Sequence, residues 1–119
     1  MKNKLNPNIL NLESVNQLEN NNTMYYIVGM IVRWDDKKAA INLKKHGVAF
    51  EEAVTVLFNN RTIEIEDMRH REQRFIIIGF SVHTRLLTVV YAYRYEDEIR
   101  IISARKSTRN EEKKYEERI

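Results

Sequence analysis

Lys45, His46, Glu72, Arg74 and Arg105 are of the types that could move a proton and neutralise charge growing on a phosphorus-bound oxygen. Histidine titrates near neutrality and can act as base or acid, while positioned cations stabilise an oxyanion. Glu72 and Arg74 are two apart, so they share a side of the chain if an extended segment already begins at Glu72. Ile99 to Asn110 adds Arg100, Lys106 and Arg109 to Arg105 without a carboxylate, a local field suited to phosphate or to an acidic protein partner. Each residue also has a simpler role. His46 near a helix C-terminus can satisfy the last carbonyls and favour the dipole. Glu72 and Arg74 as a surface ion pair would contribute about 0–1 kcal/mol. Lys44 and Lys45 suit a solvated helix face, and Tyr91 and Tyr93 share a strand face with Leu87 and Val89, which makes them core residues before a base-stacking platform. His46, His70 and His83 lie on separate segments without metal-ligand spacing, and Glu64, Glu66 and Asp67 fit a strand edge and turn.

The elements that must hold these side chains follow from periodicity. Asp35 is a suitable N-cap and Gly47 a left-handed C-terminal stop, which predicts a helix ending at the Lys45-His46-Gly47-Val48 corner. Phe50, Ala53, Val54 and Leu57 recur at i, i+3, i+4 and i+7, a second helix whose apolar stripe needs a sheet. Strands are expected at Met30–Trp34, Arg61–Asp67, Arg74–Val82, Arg85–Arg94 and Ile99–Arg105, with Gly29 marking a bulge or break before the first. Short connections imply an antiparallel meander. A helix starting at Ser107 or Thr108 offers only Tyr115 and Ile119 for packing. The expected fold is therefore α+β, with two N-terminal helices on an antiparallel sheet of four to five strands and a short C-terminal helix. Arg94 and Arg105 fall at opposite ends of neighbouring strands, which favours Arg105 for a site shared with Ser103. Both faces of the central strands are apolar. The second face thus needs a cover, either another chain or the folded-back N-terminal arm.

With 119 residues, 43% of them hydrophobic, the chain suits one core. The eight Asn within residues 1–23 suggest a poorly ordered arm over 1–29, ahead of a domain over 30–119. No cysteine occurs, which excludes disulfides and thiolate chemistry and fits a reducing cytoplasm. The longest apolar run, Met24 to Val32, is nine residues against the roughly twenty that cross a bilayer, so a soluble, unexported protein without membrane attachment is expected.

A family resemblance joins these features. Trp34-Asp35 with Lys38 and Asn42, then Lys45-His46-Gly47-Val48, Phe50-Glu51-Glu52-Ala53, Glu72 and Arg74 before an apolar strand, Arg85-Leu86-Leu87, and Arg100-Ile101-Ile102-Ser103-Ala104-Arg105 resemble the BrnT family of type II toxin–antitoxin toxins. The resemblance implies a RelE-like ribonuclease, cleavage of RNA that halts translation, and neutralisation by a BrnA-type antitoxin. The antitoxin's ribbon-helix-helix part would bind operator DNA, so the toxin meets that DNA only through the complex. The residues whose types fit that cleavage are His46, Glu72, Arg74 and Arg105 as catalytic candidates and Lys45, Arg94, Arg100, Ser103 and Lys106 as RNA-binding candidates, with no cofactor and no metal expected. A 2′-hydroxyl nucleophile would restrict such an enzyme to RNA. Two departures from the family pattern stand out. Ala49 removes a side-chain N-cap, a loss of about 0.5–2 kcal/mol in typical hosts, and the turn at Val82-His83-Thr84-Arg85 lacks a glycine. Two competing expectations are a non-catalytic RelE-like module that docks an antitoxin, and a nucleic-acid-binding domain acting alone through Ile99 to Asn110.

Overall fold

The structure, a computed structural model, describes residues 22–27 and 29–119. Strand β1 (Asn22–Ile27) and strand β2 (Met30–Asp35) form a hairpin around Gly29, whose φ of 81° is open to glycine at little cost. Helices α1 (Asp36–His46) and α2 (Phe50–Leu57) follow, then strands β3 (Thr62–Asp67), β4 (Arg74–Phe80), β5 (Leu86–Tyr95) and β6 (Glu98–Lys106), and helix α3 (Arg109–Arg118). One six-stranded sheet has the order β1-β2-β6-β5-β4-β3.

The sheet is larger than expected, and it is mixed. The antiparallel meander is present as β3 to β6. Strand β2, however, joins β6 in parallel, pairing Ile31, Val32 and Arg33 with Glu98, Ile99 and Arg100. Connection length fixes direction only between strands joined by short turns. Two helices and three strands separate β2 from β6, so the sequence left that pairing undetermined. The segment expected as an arm contributes β1 through its residues 22–27, and residues 1–21 and 28 lie outside the described residues.

Both short helices cover one face of the sheet. Phe50, Ala53 and Val54 of α2, with Ala39 of α1 and Val48 of the connection, pack against Val32, Trp34, Leu87, Val89, Ile101 and Ala104. Trp34 is held edge-on between Tyr25 and Phe50, with ring centroids at 5.2 and 5.8 Å. On the second face α3 covers only the outer strands. Tyr115 packs with Ile63, Ile78 and Leu86, and its hydroxyl donates to the Arg61 carbonyl at 2.9 Å. Ile119, expected to pack beside it, is 47% exposed. Register and alternation leave Arg74, Ile76, Val90, Arg100 and Ser103 on the part of this face that α3 does not reach, with Arg105 at the margin of its cover.

Candidate active site

The Lys45-His46-Gly47 corner is fixed from three directions. The Asp35 carboxylate caps α1 by accepting from the amides of Lys37 at 2.8 Å and Lys38 at 3.3 Å. Gly47, at φ 70°, ends the helix and donates to the Leu43 carbonyl. The third tie is Asn42. Strand β2 pairs with β6 only as far as Arg100, so beyond it the β6 backbone has an open edge. The buried Asn42 amide completes the ladder there, donating to the Ala104 carbonyl at 2.8 Å and accepting from the Ala104 amide at 3.2 Å. It also donates to Val48 at 3.0 Å. The last turn of α1 is thereby set beside Ile102 and Ser103, and a cavity of about 230 Å³ forms between Lys38, Ile41, Asn42, Lys45, His46 and those two strand residues.

Arg85 grips the same corner from the β4–β5 turn. It donates to the Gly47 carbonyl at 3.0 Å and to both oxygens of the buried Glu52 carboxylate at 3.0 and 2.5 Å. Glu52 also accepts from the Ser81 hydroxyl at 2.6 Å. Burial pushes the Glu52 carboxyl up, but the Arg85 and Ser81 hydrogen bonds together outweigh it and leave the group below its ordinary range. In the sequence, Glu52 and Arg85 carried family resemblance but no assigned role.

Arg105 stands opposite Thr88 on the second face, two positions beyond Ser103. Its two terminal nitrogens donate to the two oxygens of Glu111 at 2.7 and 2.8 Å. Glu111 was absent from the candidate residues, although the spacing Thr108-x-x-Glu111 is a capping-box signature that could have drawn attention to it. The box is formed: Thr108 donates its amide to Glu111 at 2.8 Å and accepts from the Glu111 amide at 3.2 Å. The Thr88 hydroxyl is a further donor to Glu111 at 2.9 Å.

Glu72, Arg74 and Arg100 form a separate group. Glu72 accepts from Arg74 at 3.1 and 2.5 Å and from Arg100 at 3.0 Å, even though β4 begins only at Arg74. The Arg74 hydrogen bond chiefly, with the Arg100 charge, holds the Glu72 carboxyl below its usual range despite some burial. His70 lies 3.4 Å from both Arg74 and Asp67. Arg74 and Arg100 flank Ala92 in register, and Arg105 is five residues farther along β6, about 15 Å at the usual strand rise. The four catalytic candidates therefore fall into two groups, Arg74 and Arg105 being on the second face and His46 reaching Ser103 from α1 at the open edge of β6. His46 and Arg105 flank Ser103, while Glu72 and Arg74 lie toward the other end beside Arg100.

Lys45 and Ser103 line the His46 cavity. Lys106 pairs with Leu87, which turns it to the helix-covered face, away from Arg105. Arg94 is at the far end of β5, 3.8 Å from Glu98 and over the Tyr95 ring. Tyr91 belongs to the core, stacked on Phe75 at 5.5 Å with its hydroxyl donating to Glu64 at 2.7 Å. Burial first, then the Glu64 contact, raises that hydroxyl far above its ordinary value, so it stays protonated.

None of the curated proteins matches the chain. The fold is similar to that in the 1.1 Å crystal structure of the Brucella abortus ribonuclease toxin BrnT, with a TM-score of 0.52 and 20% identity, covering 64% of this chain and 94% of that one. No helix among the described residues is long and apolar enough to cross a membrane. Residues 34–111, which contain the His46 corner, the Glu72 group and Arg105 with its partner Glu111, match the family model described as the ribonuclease toxin BrnT of type II toxin–antitoxin systems, and the chain belongs to that family.

Proposed function

We propose that the chain is a metal-independent endoribonuclease toxin of the cytoplasm that cleaves RNA to inhibit translation. The observation that carries this reading is the cavity in which His46 and Lys45 of α1 meet Ser103 of β6, with Arg105 on the same side of the same strand. In such a site His46 exchanges the proton of the 2′-hydroxyl or of the departing 5′-oxygen, and Lys45 and Arg105 stabilise charge on the nonbridging oxygens. The 2′-oxygen bonds to phosphorus as the bond to the 5′-oxygen breaks. The products are a 2′,3′-cyclic phosphate and a 5′-hydroxyl, and no metal enters the step. Glu72, ionised and tied to Arg74 and Arg100, is suited to orienting those cations against a neighbouring phosphate. Arg94 extends the proposed RNA contacts at the far end of β5, whereas Lys106, turned to the helix-covered face, would meet RNA only around the end of β6.

Regulation by a BrnA-type ribbon-helix-helix antitoxin fits the partly open second face, where Ile76 and Val90 lie between the two charged groups. An antitoxin seated there would compete with RNA, and operator DNA would be reached through that complex. A labelled RNA incubated with purified protein in EDTA tests the reaction. Cleavage is expected, with a substrate carrying 2′-deoxyribose at the cut site resistant. Expression without antitoxin should arrest growth, and His46→Ala, Arg74→Ala and Arg105→Ala should each relieve the arrest while staying folded. Toxicity retained by all three would overturn the site. A folded domain that binds its antitoxin and leaves RNA intact would favour a non-catalytic docking module instead.

A further inference from the structure

We infer that Glu111 is a positioning residue that presents one edge of the Arg105 guanidinium to an RNA phosphate. This rests on Arg105 being a phosphate-binding cation of the site. A guanidinium offers five N–H donors in a rigid plane with two forked edges. Glu111 takes the end-on fork, with Nη1 donating to Oε1 at 2.7 Å and Nη2 to Oε2 at 2.8 Å. The second Nη1 hydrogen faces the Lys106 carbonyl at 3.3 Å. Among the described residues the side-on fork, Nε–H with the outer Nη2–H, has no acceptor. That edge has the geometry for bidentate recognition of a phosphate.

The carboxylate is itself immobilised, because the Thr108 amide and the Thr88 hydroxyl donate to it. Thr88 belongs to the strand next to Arg105 and Thr108 begins the helix that covers the outer strands, so sheet and helix together set where Arg105 points. Arg105 retains access to solvent, with 36% of its side chain exposed. Of the other arginines on this face, Arg74 spends its Nε and Nη2 edge on Glu72, and Arg100 gives its Nη2 to the same carboxylate. Arg105 is the one of the three whose side-on fork is left for a ligand.

The test is single-turnover cleavage of a short labelled RNA by the full chain. Glu111→Gln should lower the rate constant about 10- to 100-fold, the scale of a misplaced catalytic contact. The half-saturating RNA concentration should stay within about 2-fold, and both limbs of the pH–rate profile should remain. Arg105→Ala should lose about 100- to 1000-fold, and the double variant should be no slower than Arg105→Ala within about 3-fold. Tyr115→Phe removes a hydroxyl that donates to the Arg61 carbonyl and not to Arg105 or Glu111, and it should lower the melting temperature while the rate stays within about 2-fold. If Glu111→Gln does not fold, Glu111→Asp keeps the charge but shortens the reach by one methylene, and should reproduce the rate loss. Multiplicative losses in the double variant, or near-native cleavage by a Glu111 variant whose Arg105→Ala counterpart is slow, would overturn the positioning role alone. A lost pH limb would make Glu111 a proton-transfer group. Near-native cleavage by Arg105→Ala would remove Arg105 from the site, and the inference with it.

Discussion

Glu52→Ala should be among the most damaging single changes outside the apolar core. The Glu52 carboxylate is 7% exposed and accepts three hydrogen bonds, two from Arg85 and one from Ser81. Truncation leaves the Ser81 hydroxyl short of an acceptor and the Arg85 cation with the Gly47 carbonyl as its remaining partner. Breaking a fully buried ion pair from one side costs about 3–5 kcal/mol. Arg85 keeps 32% of its side chain in solvent, which softens the loss to about 2–4 kcal/mol. Against a typical stability of about 5–15 kcal/mol that is a large fraction. Trp34, the single tryptophan, is 2% exposed and packs on Phe50 of the same helix, so its fluorescence reports the transition in urea. The midpoint should fall with an unchanged slope. A cycle with Arg85→Ala should give a coupling of about 1–3 kcal/mol. A loss under about 1 kcal/mol for Glu52→Ala, or additivity within about 0.5 kcal/mol in the cycle, would refute the claim that this pair clamps the corner.

Thr84 adopts φ 60° in the β4–β5 turn, where a β-branched side chain is strained by about 1–2 kcal/mol. Thr84→Gly relieves that strain but adds freedom to the unfolded chain, for a net gain of about 0.5–1 kcal/mol, visible as a melting temperature a few degrees higher; a lower one would count against it. Gly79→Ala should cost about 1–3 kcal/mol in the same unfolding assay, because its new Cβ would lie 2.5 Å from the Thr62 methyl; an unchanged midpoint would mean that Thr62 moves freely. The Arg105 hydrogen bond, with the Thr108 and Thr88 donors opposing burial, holds the Glu111 carboxyl down at about 2 from an ordinary 4.5. A folded pKa below the unfolded one stabilises above the unfolded value and is lost as pH falls from about 4.5 to 2. That contribution is about 1–2 kcal/mol once solvent screening of Arg105 is allowed for. Glu111→Gln should remove that portion of the acid dependence in unfolding curves taken across this interval, and an identical slope would exclude Glu111 as its source.

The sequence by itself determined the local elements, since their causes are local. Asp35 and Gly47 bound α1 through capping and a left-handed residue, and the stripe of Phe50, Ala53 and Val54 set the buried side of α2. Short turns dictated the antiparallel order of β3 to β6, and motif residues were enough to suggest the family. What required tertiary structure was everything carried by contacts distant in sequence. The parallel seam between β2 and β6 has no local signature because no short turn imposes it. Asn42 was one polar residue on a helix until the unpaired edge of β6 gave its amide a partner 62 residues away. Arg105 and Glu72 had the right types for one site, but strand spacing separates them into two groups along one face. Glu111 became visible only when α3 docked through Tyr115 and brought a capping carboxylate against the guanidinium at the end of β6. Residue types limit the chemistry that is available; the sheet register and helix docking decide which of those residues meet.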